Sequence, residues 1–254
     1  MTIIAVFNQK GGVGKTTTSL NLAAALARGG LDPLAIDLDP QAHLTIIGDV
    51  PVASGADSMF GFYAQSRPLS DLVRKFPPGG NIIPSHMELS KVDALHGKGL
   101  KSVMRLKTAL EEEMLEQEGA PIVIDCCPML NVLSLNAIFA SGKVLVPVSA
   151  DFLSAKGAFQ LESTLKALEH VVKKRIERRY VVTRYDARRR MSREITEQLR
   201  ERFGNELCTT HISENVSLAE SPAYNKDVFA HAPHSQGAKD YDALITELAA
   251  AGFL

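Results

Sequence analysis

The side chains with the clearest chemistry lie in a glycine-rich segment near the start of the 254-residue chain. Glycines let consecutive backbone N–H groups point at phosphate oxygens, and a following helix N-terminus adds the positive end of its dipole. We expect the whole segment to bind a nucleoside triphosphate, with Lys15 on the β- and γ-phosphates and the Thr16 hydroxyl on Mg²⁺. The segment follows an apolar run and reads Gly11-Gly12-Val13-Gly14-Lys15-Thr16-Thr17. The alternative is a glycine-rich turn that binds no ligand.

Acidic side chains follow two further apolar runs. Asp37 and Asp39 end the second run of the chain, and Asp125 ends the third. In a parallel sheet, the carboxyl ends of the strands form the ligand edge, so these carboxylates should lie near the phosphate loop. A carboxylate after three apolar residues is costly to bury without a partner. We therefore expect Asp125 to support Mg²⁺ at this edge.

The apolar runs alternate with longer segments of helical spacing. The runs are almost continuously apolar, as in strands that are covered on both faces. This order predicts an α/β fold with a doubly wound, mostly parallel sheet and helices on both faces. The predicted strands are 3–7, 33–37, 122–125, 144–148 and 180–183, and the predicted helices are 16–28, 100–118, 155–172, 191–203 and 237–250.

Residues 48–100 interrupt this pattern with several glycines and prolines. We predict an irregular insertion there, with a short helix near 69–75 and a strand near 81–84. Nothing in the composition argues for a linker, so a single domain over 1–254 is expected.

Composition excludes several other classes of protein. Hydrophobic residues make up 45% of the chain and the net charge is −1, which excludes general disorder. No apolar run reaches the ~20 residues that span a bilayer, and the N-terminus does not resemble a secretory signal. Three cysteines, Cys126, Cys127 and Cys208, indicate a reducing cytoplasm and are best explained as small buried side chains.

The motifs together resemble the ParA/MinD family of deviant Walker A ATPases. The resemblance begins at Lys10-Gly11-Gly12-Val13-Gly14-Lys15-Thr16-Thr17. The common phosphate-loop pattern is G-x-x-x-x-G-K-[ST], and this chain has Gln9-Lys10 where that pattern has its first glycine. It continues in Asp37-Leu38-Asp39-Pro40-Gln41, in the run that ends at Asp125, and in the late segment 214–222. The chain looks like a short ParA-type partition or positioning ATPase, without the helix-turn-helix that precedes the first strand in larger relatives.

The resemblance implies roles for individual residues. Lys10 would cross to the ATP of a partner subunit, so that two ATP molecules are sandwiched in a homodimer and Lys10 and Lys15 both act in catalysis. Asp39 would orient the attacking water, and Asp37 would join Thr16 and Asp125 around Mg²⁺. The adenine would lie against 183–186 and 212–216, with Thr183 and Asn215 contacting the nucleotide. The bland alternative for Lys10 is a solvated loop lysine.

Charge is unevenly distributed along the chain. Residues 173–193 carry +8, which leaves −9 for the rest. Such a segment would attract DNA phosphates without reading sequence. We predict nonspecific DNA binding through Lys173, Lys174, Arg188, Arg189, Arg190 and Arg193, although a solvated, salt-bridged helix face has the same composition. Glu214 and Ser217 stand where many family members have arginines, which could shift this surface.

The favoured function is an ATP-dependent dimeric switch that rests on the nucleoid in the cytoplasm and partitions or positions a cargo. A ParB-like or other adaptor protein would stimulate a weak intrinsic ATPase. One alternative is a MinD-like membrane ATPase, but residues 242–254 contain no Lys or Arg to attract anionic lipid. The other is a metabolic P-loop enzyme, such as an ATP-dependent ligase.

Overall fold

The apolar runs form the inner strands of one mixed sheet. The computed structural model describes residues 2–95, 97, 99–113 and 120–254. Within these residues the sheet has eight strands in the order β3-β4-β2-β5-β1-β6-β7-β8. The strands are β1 (Ile3–Val6), β2 (Leu34–Leu38), β3 (Arg74–Lys75), β4 (Asn81–Ile83), β5 (Ile122–Cys126), β6 (Lys143–Ser149), β7 (Glu177–Tyr185) and β8 (Leu207–Ser213). Every neighbouring pair is parallel except β3–β4.

Helices cover both faces of the sheet, which confirms the predicted fold class. Among the described residues they are α1 (Lys15–Arg28), α2 (His43–Ile47), α3 (Met59–Gln65), α4 (Val92–Leu95), α5 (Leu100–Val103), α6 (Arg105–Glu113), α7 (Val132–Ser141), α8 (Phe152–Val172), α9 (Arg190–Phe203), α10 (Val216–Glu220), α11 (Val228–His231) and α12 (Gln236–Ala250). None of the helices in these ranges is long and apolar enough to cross a membrane.

The alternation of side chains along β1 explains the two layers. Ala5 and Phe7 join a core with helices α3, α6, α7, α8 and α9, whereas Ile4 and Val6 join a second core with α1 and α12. Successive residues of a strand point to opposite faces, so a strand buried on both faces must be apolar throughout. The continuous runs in the sequence reflect this double coverage.

The carboxyl ends of three adjacent strands form the edge that carries the predicted site. β5 lies between β2 and β1, and the register pairs Asp37 with Asp125. The loop after β1 leads directly into α1. The sheet thus brings together two acidic segments that are about 90 residues apart in the sequence.

The region 48–100 is more regular than its composition indicates. The predicted strand near 81–84 is confirmed as β4, which pairs with β2 and extends the main sheet. The predicted helix near 69–75 is wrong: a single 3₁₀ turn at Ser70–Leu72 is followed by β3, which pairs antiparallel with β4. The turn Pro77-Pro78-Gly79-Gly80 favours this hairpin, because Gly79 and Gly80 adopt positive φ angles of 141° and 80°.

Other elements also differ from the sequence prediction. The predicted helix 100–118 is divided at Met104 into α5 and α6, and residues 114–119 at its end lie outside the described residues. Strand β8 was not predicted. Its run Leu207–Ser213 contains two threonines and a histidine, so it lacks the apolar continuity of the inner strands. As the edge strand of the sheet, it needs less apolar surface.

The two-sided burial of β2 gives a stability prediction. Ile36→Ala should lower the free energy of unfolding by about 2–5 kcal/mol, because Ile36 is fully buried and the substitution leaves a cavity. Ile46→Ala is the matched control, since Ile46 is 61% exposed. Urea unfolding followed by circular dichroism measures both, and an equal loss in the two variants would contradict the core described here.

Candidate nucleotide site

The loop between β1 and α1 has the backbone that phosphate binding needs. Gly12 and Gly14 adopt positive φ angles of 74° and 89°, which strongly favour glycine, and the space beside Gly11 and Gly12 is open. The Lys15 ammonium reaches back across the loop and donates to the Lys10 carbonyl at 3.0 Å. Burial lowers the pKa of Lys15, and the nearby Asp125 opposes that shift. A buried cation thus stands beside the glycine-rich loop.

Asp125 is held by two hydroxyls of helix α1. Thr16 Oγ1 and Ser19 Oγ each donate to one of its carboxylate oxygens at 2.8 Å. Burial and the charge on Asp37 raise the pKa of Asp125 to about 7, although these hydrogen bonds act in the opposite direction. Sequence reasoning missed Ser19. Its position one helical turn after Lys15 and Thr16 was the available signal.

Asp37 lies beside Asp125 and is fully buried. Its Oδ2 accepts hydrogen bonds from the backbone N–H and the hydroxyl of Thr45, and its Oδ1 accepts from Asp39 N–H at 3.1 Å. Burial raises the pKa of Asp37 to about 6, even though the bonds from Thr45 lower it. Two adjacent buried carboxylates with raised pKa values are a strong indication of a cation site.

The chemistry of these residues fits Mg²⁺ and a nucleoside triphosphate. Among the described residues there is no cluster of three or more His, Cys, Asp or Glu side chains that could hold a metal by itself. A single hydroxyl ligand, supplied by Thr16, with carboxylates behind it, suits a Mg²⁺ that is bound mainly by phosphates and water. When bound, the ion would neutralise charge on the phosphates, and Thr16, Asp37 and Asp125 would hold it.

Lys10 bonds to its own chain in this structure. Its ammonium donates to Asp151 Oδ1 at 2.7 Å and to Ser154 Oγ at 2.8 Å, at the start of α8. Asp151 also caps that helix by accepting from Ser154 N–H. Burial raises the pKa of Asp151, but the bonds from Lys10 and Ser154 outweigh it and hold the pKa well below its usual range. Lys10 is therefore an ion-paired lysine rather than a freely solvated one.

A cavity of about 280 Å³ lies beside the phosphate loop. The structure brings both predicted base-contact segments together there, since Thr183, Arg184 and 212–215 line it with Gly14. Thr183 Oγ1 donates to Val13 O at 2.8 Å, which ties this wall to the phosphate loop. Asn215 Oδ1 accepts from Ser217 N–H and begins α10. The size and position of this cavity suit a nucleotide base.

The basic segment 173–193 does not form one continuous face. Lys173 and Lys174 lie before β7 and Arg188 lies after it, so about 26 Å of extended strand separates them. Arg178 between them is buried and pairs with Glu169. The six predicted DNA contacts therefore lie at opposite ends of β7. Lys173 and Lys174 precede its amino end, and the four arginines follow its carboxyl end.

Carboxylates partly neutralise the arginines at the nucleotide edge. Arg188 binds Asp186 through Nε and Nη2, both at 3.0 Å, and holds the pKa of Asp186 at about 2. Arg189 pairs with Glu214 at 2.8 Å, and Arg190 pairs with Glu194 at 2.6 Å. Arg193 Nη1 donates to Ala187 O. The arginines of these pairs are exposed to solvent, so each pair contributes little to stability and another anion can take the place of the carboxylate.

The cysteines are buried, as expected. Burial raises the pKa of Cys127 to about 11 and that of Cys126 well above its ordinary value. Thiols with raised pKa values are poor nucleophiles. This agrees with their interpretation as small core side chains.

Comparison with known proteins decides the family. A family model described as an AAA domain matches residues 1–178. The chromosome-partitioning ATPase Soj of Thermus thermophilus is 36% identical over 248 residues, which cover 97% of this chain and 95% of that protein. The chromosome partitioning protein ParA of Caulobacter vibrioides is 33% identical over 248 residues, covering 97% and 93%. The chain belongs to the ParA/MinD family of P-loop ATPases.

A solved structure shows the same fold with ligands. Cobyrinic acid a,c-diamide synthase from Mycobacterium smegmatis, with a bound ATP analogue and magnesium, superposes with a TM-score of 0.83 at 26% identity. The match covers 98% of this chain and 94% of that one. Membership of the ParA/MinD family agrees with the phosphate loop, the buried carboxylates and the sheet order described above.

The raised pKa of Asp125 gives a prediction about stability and pH. A carboxyl whose pKa is higher in the folded state loses stabilisation as the pH rises through that pKa, so ionised Asp125 destabilises the ligand-free fold above pH 7. Without nucleotide and Mg²⁺, Asp125→Asn should therefore raise the Tm at pH 8, on the order of 5 °C, and raise it by less than half as much at pH 5, because the loss begins near the pKa of the unfolded carboxyl, about 4.

The exposed Asp71→Asn is the control and should leave the Tm unchanged at both pH values. Thermal unfolding in EDTA measures all three proteins. A similar loss of stability in Asp125→Asn at pH 5 and pH 8 would show that the fold needs the negative charge.

Proposed function

We propose that this protein is an ATP-driven dimeric switch of the ParA type, which binds nonspecific DNA in its ATP state and positions a cargo in the cytoplasm. The proposal rests on side chains suited to ATP binding and hydrolysis that lie together at the carboxyl ends of the strands, in a chain related to partition proteins over nearly its full length. These side chains are Lys10, Lys15, Thr16, Asp37, Asp39 and Asp125. Family members are generally ATPases, and a weak intrinsic rate suits a switch that must persist in its bound state.

Each residue at this edge has a chemical role in the proposal. The backbone N–H groups of 11–17 hold the phosphates, and Lys15 places a positive charge on the β- and γ-phosphates. Thr16 would ligate Mg²⁺, with Asp37 and Asp125 behind it. Thr183 and Asn215, at the wall of the adjoining cavity, would contact the nucleotide.

In this proposal, Asp39 would orient the attacking water. Its Oδ1 accepts from Gln41 N–H at 2.9 Å, while its Oδ2 accepts no hydrogen bond from any residue that the structure describes. The residue is only 8% exposed. A nearly buried carboxylate with one open oxygen can accept a hydrogen bond from a water molecule and so fix the direction of the lone pair of that water.

Lys10 would act in the partner subunit. Its present contacts with Asp151 and Ser154 lie at the same edge as the phosphate loop, and the pair is partly exposed, with 34% of the Lys10 side chain accessible. An ammonium held this way can exchange one anion for another at little cost. In the dimer, it would neutralise phosphate charge as the transition state develops.

Lys10→Ala should separate ATP binding from dimerisation. The variant keeps Lys15 and the loop glycines, so its affinity for a fluorescent ATP analogue should stay within about threefold of wild type, whereas ATP-dependent dimers should disappear in light scattering. Lys15→Ala is the comparison and should lose nucleotide binding itself. Normal dimers in Lys10→Ala would contradict the role in the partner subunit.

The arginines after β7 are the preferred DNA contact. Arg188, Arg189, Arg190 and Arg193 lie at the nucleotide edge, where ATP-dependent pairing of two subunits would join two such clusters. DNA phosphates would replace the half-exposed carboxylates of Glu194 and Glu214, which now pair with Arg190 and Arg189. Lys173 and Lys174 at the opposite edge are a second, separate candidate contact.

Co-sedimentation with DNA tests this surface. Replacement of Arg188, Arg189 and Arg190 by Glu should abolish ATP-dependent retention on nonspecific DNA at low salt, because the cluster changes sign. Lys173→Glu with Lys174→Glu is the matched charge reversal at the far edge and should retain more binding. Retention of the arginine variant with loss in the lysine variant would assign DNA binding to the other edge.

Two other functions have different outcomes in the same assay. Retention on anionic vesicles, rather than DNA, would indicate a membrane-positioning ATPase. Retention on neither would favour a metabolic enzyme, the class named for the solved Mycobacterium smegmatis synthase. We also propose a ParB-like or other cargo adaptor as the partner that stimulates hydrolysis, and faster ATP turnover on addition of that adaptor would support it.

A further inference from the structure

Ser85 connects the insertion to the nucleotide site. It lies two residues after β4, at the same edge of the sheet as Asp37 and Asp39, and it is 1% exposed. Its hydroxyl donates to the backbone carbonyl of Asp39 at 2.7 Å. Its backbone N–H donates to the Thr45 hydroxyl at 2.9 Å. Sequence reasoning placed Ser85 in an irregular insertion and gave it no role.

Thr45 completes a closed network with Ser85. Thr45 Oγ1 uses its proton on Asp37 Oδ2 at 2.7 Å and its lone pair to accept from Ser85. Asp37 Oδ1 accepts from Asp39 N–H at 3.1 Å. The backbone of Asp39 is thus held at its N–H by Asp37 and at its C=O by Ser85, together with Ala42 N–H, which donates to the same carbonyl at 2.8 Å. The four residues other than Ala42 are all less than 9% exposed, so water does not offer ready substitutes for these bonds.

We propose that Ser85 and Thr45 are positioning residues for ATP hydrolysis: they fix the backbone of Asp39 so that its open carboxylate oxygen faces the attacking water. The inference rests on the role proposed above for Asp39. Neither residue needs to touch ATP. Because Asp39 Oδ1 is already tied to Gln41 N–H, the direction of Oδ2 follows the backbone at Asp39.

The geometry predicts an effect on the chemical step rather than on binding. The phosphate-loop residues that would hold ATP receive no hydrogen bond from Ser85 or Thr45 in the part of the chain that the structure describes. A reacting group that is misplaced by ~1 Å can lose ~100-fold in rate. Loss of the Ser85 hydroxyl leaves the Asp39 carbonyl with its bond from Ala42 N–H but removes the bond that ties it to the loop after β4, which loosens the backbone that orients the carboxylate.

The test is single-turnover ATP hydrolysis by the full chain with Mg²⁺. Ser85→Ala should reduce the rate by about 10- to 100-fold, while affinity for a fluorescent ATP analogue stays within about threefold of wild type. Ser90→Ala is the matched control: Ser90 is an exposed serine of the same region, and its hydroxyl donates to Met87 O. It should hydrolyse ATP at the wild-type rate.

Substitutions at Thr45 separate the hydroxyl from packing. Thr45→Ser keeps the hydroxyl and should retain most of the rate, whereas Thr45→Val keeps the shape, loses both hydroxyl bonds and should be slow. The double variant Ser85→Ala/Thr45→Val should be less impaired than the product of the two single losses, because both act through one network. Thermal unfolding of each variant confirms that the folded protein is measured.

The outcomes separate this inference from the proposed function. Asp39→Asn should abolish hydrolysis and keep ATP binding; if it hydrolyses normally, the role of Asp39 itself is wrong. If Asp39→Asn is inactive but Ser85→Ala is as fast as wild type, only the positioning role is overturned. Equal impairment of Thr45→Ser and Thr45→Val, or a rate loss in Ser85→Ala that is matched by an equal loss of ATP affinity, overturns it as well.

Discussion

The structure of the site depends on burying two carboxylates side by side. Asp37 and Asp125 are in register on adjacent strands and fully buried. Like charges in a dry environment repel each other, so the fold surrounds them with the Thr16, Ser19 and Thr45 hydroxyls and the Lys15 ammonium. A divalent cation with its phosphates would relieve the remaining repulsion. The ligand-free protein therefore carries an electrostatic cost that nucleotide and Mg²⁺ would remove.

The same constraint explains why distant segments meet at this edge. Helix α1 supplies two hydroxyls, α2 supplies Thr45, and the end of β4 supplies Ser85, which in turn holds the turn after β2. A buried polar network is stable only when each member has a partner. The insertion is thus part of the site, since Ser85 after β4 supplies one of the two hydrogen bonds that the buried Asp39 carbonyl accepts, the other coming from Ala42 N–H.

The basic residues of 173–193 are distributed over two separate parts of the surface. The basic segment is continuous along the chain, but β7 carries it from one edge of the sheet to the other, and the exposed arginines are already paired with Asp186, Glu194 and Glu214. In water such pairs are weak, so they lower the positive potential of the cluster without fixing its side chains. Glu214 also lines the cavity next to the phosphate loop, which places the arginine cluster and the proposed base site side by side.

The sequence by itself determined the fold class, the inner strands and the phosphate loop. These are local properties. A strand that is covered on both faces must be apolar throughout, and the positive φ angles at positions 12 and 14 of the phosphate loop favour glycine, so both features are visible in the sequence. Only the tertiary structure decided that Thr45 and Ser85 complete the site, that Lys10 pairs with Asp151, and that Lys173 and Arg188 lie apart. Those results depend on which strand ends are neighbours and on where a side chain finds a partner, and no local pattern of residues encodes either.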